Sequence, residues 1–194
     1  MSNETGKSVL RRLHDSRFFS RYFVGNGIDI GCGTDSLEIY QSFFPGIKSV
    51  KGWDLADGDA QYMSSVPDKF FDFVHSSHCL EHVNDPYVAL DNWIRICKNE
   101  GHLIIVVPDE DLYEQGKWPS QFNSDHKHTF TIHKPTSWSN KSINLFDLIS
   151  YFANITVCKI ELLDATYRYN TGVWDQTAYS FADSAIEIVL RKNQ

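Results

Sequence analysis

His78, Glu81 and His82 stand at i, i+3 and i+4, a spacing that puts all three on one face if the segment is helical. A second group, Asp125-His126-Lys127-His128, follows after the next strand-like run. Imidazole and carboxylate together suit Zn, Mn, Fe or Ni, so Glu81, His82, His126 and His78 are candidate metal ligands. The same types suit general-base work, because histidine titrates near neutrality. His126, His128, Asp125 and His78 are therefore candidate catalytic groups. The plainer alternative is a local hydrogen-bonded cap built on Glu81 and His82. It is preferred here, and a divalent metal is not favoured.

A second constellation is Asp29-Ile-Gly31-Cys32-Gly33, which closes one apolar run and opens the next segment. Glycines there let the backbone turn sharply and approach a ligand closely. Asp54 comes about 20 residues after the glycines, the spacing of a ribose-binding carboxylate. Two features weigh against a dinucleotide. Asp29 stands two residues before the first glycine, where a carboxylate suits a cationic ligand better than a diphosphate. Ser36 occupies the place of the third glycine of G-x-G-x-x-G.

The elements that must position these groups alternate. Residues 8–23 read as an amphipathic cap helix, 27–30 and 49–54 as strands, and 36–44 as a short helix ended by Pro45-Gly46. Residues 71–76 form another strand. A helix starts at Asp85-Pro86 and runs to about Cys97, with proline near its first turn. Asn99-Glu100-Gly101 is expected to turn into 102–107 (HLIIVV), whose apolar run suits a central strand covered on both faces. A helix over 142–153 and strands at about 155–163 and 185–191 complete the chain. This alternation predicts an open α/β sheet with ligands at the carboxyl ends of its strands.

Composition narrows the function classes. The chain has 194 residues, 42% hydrophobic, with a formal net charge of −7, so duplex nucleic acid is not an expected partner. No apolar run approaches the roughly 20 residues of a membrane span. Met1 to Gly6 is polar, which predicts no secretory signal and a cytoplasmic location. Cys32, Cys79, Cys97 and Cys158 form no C-x-x-C pair and read as reduced, mostly buried thiols. Nothing in the sequence states the oligomer.

The stretches GIDIGCGTDSL, GWDLADGDAQ, FDFVHSSHCLEHVNDP and GHLIIVVPDED together resemble a small class I, Rossmann-like, S-adenosylmethionine (SAM)-dependent methyltransferase of the methyltransferase-11-like kind. The resemblance implies a seven-stranded, mostly parallel sheet with an antiparallel last strand and helices on both faces. It implies one domain over residues 1–194, with a cap at 1–25 and substrate-side insertions at 109–138 and 164–184. It places Asp29, Gly31, Cys32 and Gly33 around the methionine part of SAM, Asp54 and Leu55 at ribose and adenine, Asp59 and Ala60 near the adenine amine, and Ser77 and His78 beside the sulfonium. The Glu81-His82 pair followed by Asp125-His126 is locally similar to metal-dependent small-RNA 3′-terminal 2′-O-methyltransferases, which carry Glu where this chain has His78.

The reading that follows is methyl transfer, by O-methylation, to a small or saccharide-type acceptor. Tyr167, Tyr169, Trp174, Tyr179 and Phe181 could stack on such an acceptor or simply pack a lid. The alternatives are an RNA 3′-end 2′-O-methyltransferase using a metal, a non-catalytic SAM-binding partner of another enzyme, and a nicotinamide oxidoreductase, the last disfavoured by Asp29 and Ser36.

Overall fold

A computed structural model describes residues 3–179 and 181–194. Its main sheet is built from β1 (Gly25–Ile30), β2 (Ile47–Trp53), β3 (Phe71–Ser77), β4 (Cys97–Pro108), β7 (Ile155–Leu163) and β8 (Ala185–Lys192), in the order β2-β1-β3-β4-β8-β7. β1 pairs in parallel with β2 and β3, and β3 with β4. β8 runs antiparallel to β4 and β7. A mostly parallel α/β sheet with a reversed last strand is thus present.

Six strands are described where seven were expected. The sheet stops at β2 because the chain beyond it, Asp54 to Phe70, lacks an alternating apolar run. It forms turns that bury Met63 and Val66 in the core beside Trp53. Lys48 and Lys51 on β2 suit an unpaired edge, where charge discourages further pairing.

Apolar side chains leave the sheet on both faces, and each face is covered. On one, Ile28, Ile30, Leu103, Ile105, Val107, Ile186 and Ile188 pack with Leu90 and Trp93 of α2 (Pro86–Ile96) and Leu148 of α3 (Leu145–Ser150). On the other, Phe73, Ile104 and Val189 meet Val9 of α1 (Glu4–Arg12), Phe18 and Tyr22 of a π-helical turn, and Leu37 of a 3-10 helix. The expected cap helix over 8–23 is therefore broken into α1 and that π turn, Phe18–Tyr22. The helix over 36–44 is a 3-10 helix, Leu37–Phe43, with Ser36 accepting from the Glu38 amide.

α2 starts where Asp85-Pro86 predicts it. The Asp85 carboxylate accepts from the Tyr87 and Val88 amides at 2.9 and 3.2 Å, which satisfies donors that a first turn leaves unpaired. Its end differs from expectation. Asn99 to Gly101 makes no separate turn but lies inside β4, with Glu100 at φ 64°. The extra residues there produce a register shift between Phe71 and Phe73 of β3. Two short strands, β5 (Thr129–Thr131) and β6 (Ser142–Asn144), pair in parallel beside the main sheet. β6 takes the start of the segment expected as helix 142–153, and Asn144 caps α3 by accepting from Phe146 N. All four cysteines are free. Among the described residues no helix is long and apolar enough to cross a membrane.

Candidate functional site

The carboxyl ends of β1, β2 and β3 open into a cleft of about 570 Å³, lined by Gly31, Asp54, Leu55, Asp59, Ala60, His78 and His82 among others. A second recess of about 300 Å³ shares Gly31 and His78 with it and adds Glu4, Cys32, Gly33 and Ser77. The glycines build the turn between them for different reasons. Gly31 sits at φ 71°, and a Cβ there would stand 2.5 Å from the Cys79 Cβ and Sγ atoms. Gly33, at φ 52°, has nothing within 4 Å of where a Cβ would stand, so only its backbone conformation asks for glycine.

Asp29 is the exception among the residues expected at the cofactor. It lines neither recess and is fully buried. Its Oδ2 accepts from Leu37 N at 2.6 Å, and its Oδ1 lies 2.6 Å from His75 Nδ1. His75 Nε2 lies 2.9 Å from an Arg12 guanidinium nitrogen, and Arg12 Nε donates to Glu187 Oε2 at 2.8 Å. Arginine only donates, so His75 Nε2 accepts and Nδ1 carries the hydrogen given to Asp29. Asp29 thus braces the glycine turn from behind rather than meeting a cationic ligand. Burial pushes the Arg12 guanidinium down, with Glu187 opposing it.

The histidine group lies beside the larger cleft. A third recess of about 370 Å³ shares His78 and His82 with it and is walled by Glu4, Glu81, Tyr113, Phe122, His126 and Asp175. Two backbone bonds place the later segment here: Lys127 N and His128 N both donate to Glu81 O, at 2.9 and 3.3 Å. The Glu81 side chain is fully buried, and neither carboxylate oxygen accepts a hydrogen bond. Around Oε1 stand His78 Nδ1 at 3.3 Å, His82 Nε2 at 3.8 Å and His126 Nε2 at 4.0 Å. Burial opposes its charge, yet His78, His82 and His126 together hold its carboxyl below the usual range.

Both outer histidines are braced through their other nitrogen. His126 Nδ1 lies 2.6 Å from Glu114 Oε1, and His82 Nδ1 lies 3.0 Å from Asp125 Oδ2. Asp125 thus stands against His82 Nδ1, where it can orient the ring. His128 turns away: its Nε2 lies 3.2 Å from the Asn84 carbonyl, and it lines none of the three recesses. His78 has left-handed backbone, φ 55°, and lies between Glu81 and Glu4, its Nε2 3.5 Å from Glu4 Oε2. Burial would lower its pKa, but Glu4, Glu81 and Asp183 outweigh this and push it up to about 9. Protonated near neutrality, it is a poor base and a poor metal ligand.

Sequence reasoning missed Glu114, Glu4, Tyr113 and Asp175. Each is a single polar or aromatic residue with no motif around it, and only a contact from a distant element marks it. The aromatic residues expected on the acceptor side, Tyr167, Tyr169, Trp174, Tyr179 and Phe181, line none of these three recesses. Tyr169, Tyr179 and Phe181 are exposed.

The model of a family described as a methyltransferase domain matches residues 5–142. The chain belongs to that methyltransferase domain family. Solved structures share the fold of this methyltransferase domain along nearly its whole length. A SAM-dependent methyltransferase from Archaeoglobus fulgidus superposes with TM-score 0.62 at 22% identity, over 98% of this chain and 95% of that one. A complex of the Haloferax volcanii Trm112 methyltransferase activator with a methyltransferase contains a chain at TM-score 0.65 and 15% identity, over 98% and 94%. The [4+2]-cyclase SpnF gives TM-score 0.60 at 13% identity, over 98% and 80%, so one fold hosts more than one reaction. No curated protein matches the chain. This methyltransferase is SAM-dependent. The open glycine turn, the rim carboxylate Asp54 and a cleft within the usual ligand-site range of roughly 300–1,000 Å³ fit that cofactor.

Proposed function

We propose that the protein transfers the SAM methyl group to a hydroxyl of a small acceptor, a saccharide-type molecule included, seated in the recess of Glu81, Tyr113 and His126. The observation that carries this reading is that this recess and the cofactor cleft meet at His78 and His82. A donor in one and an acceptor in the other would face each other across those two side chains.

Gly31, Cys32, Gly33 and Ser77 would hold the methionine part, Asp54 would accept from the ribose hydroxyls, and Leu55, Asp59 and Ala60 would border the adenine. Leu55, 92% exposed, has apolar surface to cover. SAM supplies an electrophilic methyl on a sulfonium. The chain's task is then to hold the acceptor oxygen in line with it, and positioning alone can be worth many orders of magnitude in rate. The hydroxyl oxygen gains the methyl, the sulfur keeps the C–S electron pair, and the hydroxyl proton passes to solvent water beside the Glu81, His82 and His126 group. Glu4, Glu81 and Asp175 in the wall suit a polyhydroxy acceptor, and the net charge of −7 weakens the reading as an RNA-end enzyme.

Calorimetry with SAM and with NAD, followed by labelled methyl transfer to a panel of sugars, small phenols and RNA oligonucleotides, tests this. SAM binding with transfer to a hydroxyl of a small molecule is expected. Transfer confined to RNA ends would defeat it.

A further inference from the structure

We propose that Glu81, His82 and His126 hold one divalent first-row transition-metal ion, with open coordination positions toward the acceptor recess. One Glu81 carboxylate oxygen and one nitrogen from each histidine lie within 4.8 Å of one another. A tetrahedral ion with bonds near 2.0–2.1 Å needs its donors roughly 3.4 Å apart, so small side-chain rotations complete the set.

Two observations separate this group from a chance cluster. The first is Glu81 itself. A fully buried carboxylate whose oxygens accept no well-formed hydrogen bond and face only histidine nitrogens at 3.3–4.0 Å has unused acceptor capacity in a low-dielectric site, and a cation at the centre of the three groups would fill it. The second is the way the imidazoles are held. His126 gives Nδ1 to Glu114 and His82 gives Nδ1 to Asp125, and each turns Nε2 toward Glu81. A carboxylate on the far nitrogen fixes the ring and its tautomer as a metal ligand needs. Sequence spacing, which favours a metal-free cap, shows neither feature.

Two nitrogens and one oxygen favour Zn, Mn, Fe or Co over Mg or Ca. Three protein ligands leave room for a water or substrate oxygen, as in catalytic rather than structural sites. His78 is not one of the ligands, since its nitrogens face Glu81 and Glu4. In the acceptor role, which rests on the function proposed above, the ion would bind the acceptor hydroxyl and ease loss of its proton to solvent water. The oxygen then takes the methyl and the sulfur keeps the C–S pair.

The test uses the full chain, purified without a histidine tag and stripped with chelator. Zn²⁺ and Co²⁺ are titrated by calorimetry, with the visible absorption of the Co²⁺ protein as a second readout. One ion per chain is expected, with affinity lowered roughly a hundredfold or more in both Glu81→Gln and His126→Gln. Thermal midpoint should rise with Zn²⁺ in the unaltered protein only, because an ion that binds only the folded state stabilises it. A chain that binds no ion stoichiometrically overturns the proposal, as does one whose affinity in His82→Gln, His126→Gln and Glu81→Gln is unchanged from that of the unaltered protein. SAM affinity is measured on the same samples. Its absence from metal-loaded protein would defeat the functional reading while the metal result stands.

Discussion

Glu114 Oε1 lies 2.6 Å from His126 Nδ1, and that contact turns the other ring nitrogen toward the buried Glu81 carboxylate. A carboxylate on Nδ1 fixes the ring so that Nε2 is the nitrogen presented to Glu81. Removing Glu114 should free the ring without removing a ligand. Glu114→Ala is expected to lower Zn²⁺ affinity about 10- to 100-fold while SAM binding persists. Asp125→Ala should cost less, because Asp125 is 77% exposed and water can replace it. Calorimetry on the two variants checks the order; equal losses would mean that burial of the bracing carboxylate does not matter.

Asp54→Ala removes the carboxylate at the rim beside the exposed Leu55. The two ribose hydroxyls then lose their charged acceptor, at about 1–3 kcal/mol, or roughly tenfold to a hundredfold in SAM affinity. Thermal stability should change little, since the lost Asp54 contact is a local bond to Leu55 N at 2.8 Å. Normal SAM binding by the variant would show that the ribose lies elsewhere.

The two glycines of the turn should respond differently. In Gly31→Ala the new methyl meets Cys79 at 2.5 Å in a left-handed backbone, so strain of about 1–2 kcal/mol adds to a clash, and melting temperature and SAM affinity should both fall. Gly33→Ala meets no atom within 4 Å. It carries the same left-handed strain without the clash, so it should lose less stability than Gly31→Ala yet lose SAM affinity, because its methyl enters the recess. Thermal melts paired with SAM titrations separate the two.

Acid stability should follow Glu187. Burial alone would raise its pKa, but Arg12, Arg11 and Lys159 outweigh that and hold the carboxyl well below its ordinary value of 4.5. A carboxyl depressed in the folded state contributes stability above its unfolded pKa and loses it as pH falls toward the folded one. The melting temperature should therefore drop on acidification from about pH 4.5 downward. Glu187→Gln leaves Arg12 buried without its partner, at a cost of about 3–5 kcal/mol at neutral pH, and should flatten that acid limb. A variant whose melting temperature still falls as steeply would show that other carboxylates set it.

The sequence by itself determined what depends on neighbours a few residues apart. The segments 27–30, 71–76 and 102–107 mark strands, the last an apolar run suited to cover on both faces. Asp85-Pro86 marks a helix start, because a cap and a first-turn proline act locally, and the glycines at 31 and 33 mark a tight turn at a strand end. Glu81 and His82 were legible as a chemical pair because they are adjacent. Only the tertiary structure decided where side chains point once segments far apart meet. Asp29 faces inward because Leu37 N, His75 and Arg12 lie behind it, and spacing from Gly31 carries no trace of those partners. His126 and His128 are two residues apart, yet one turns to Glu114 and Glu81 and the other to the Asn84 carbonyl, since this segment is irregular loop and not a strand, in which residues two apart would share a face. The outward aromatic residues have the same origin. Burial and partner choice are properties of the packed whole, and a periodic pattern reports only the face of the element that carries it.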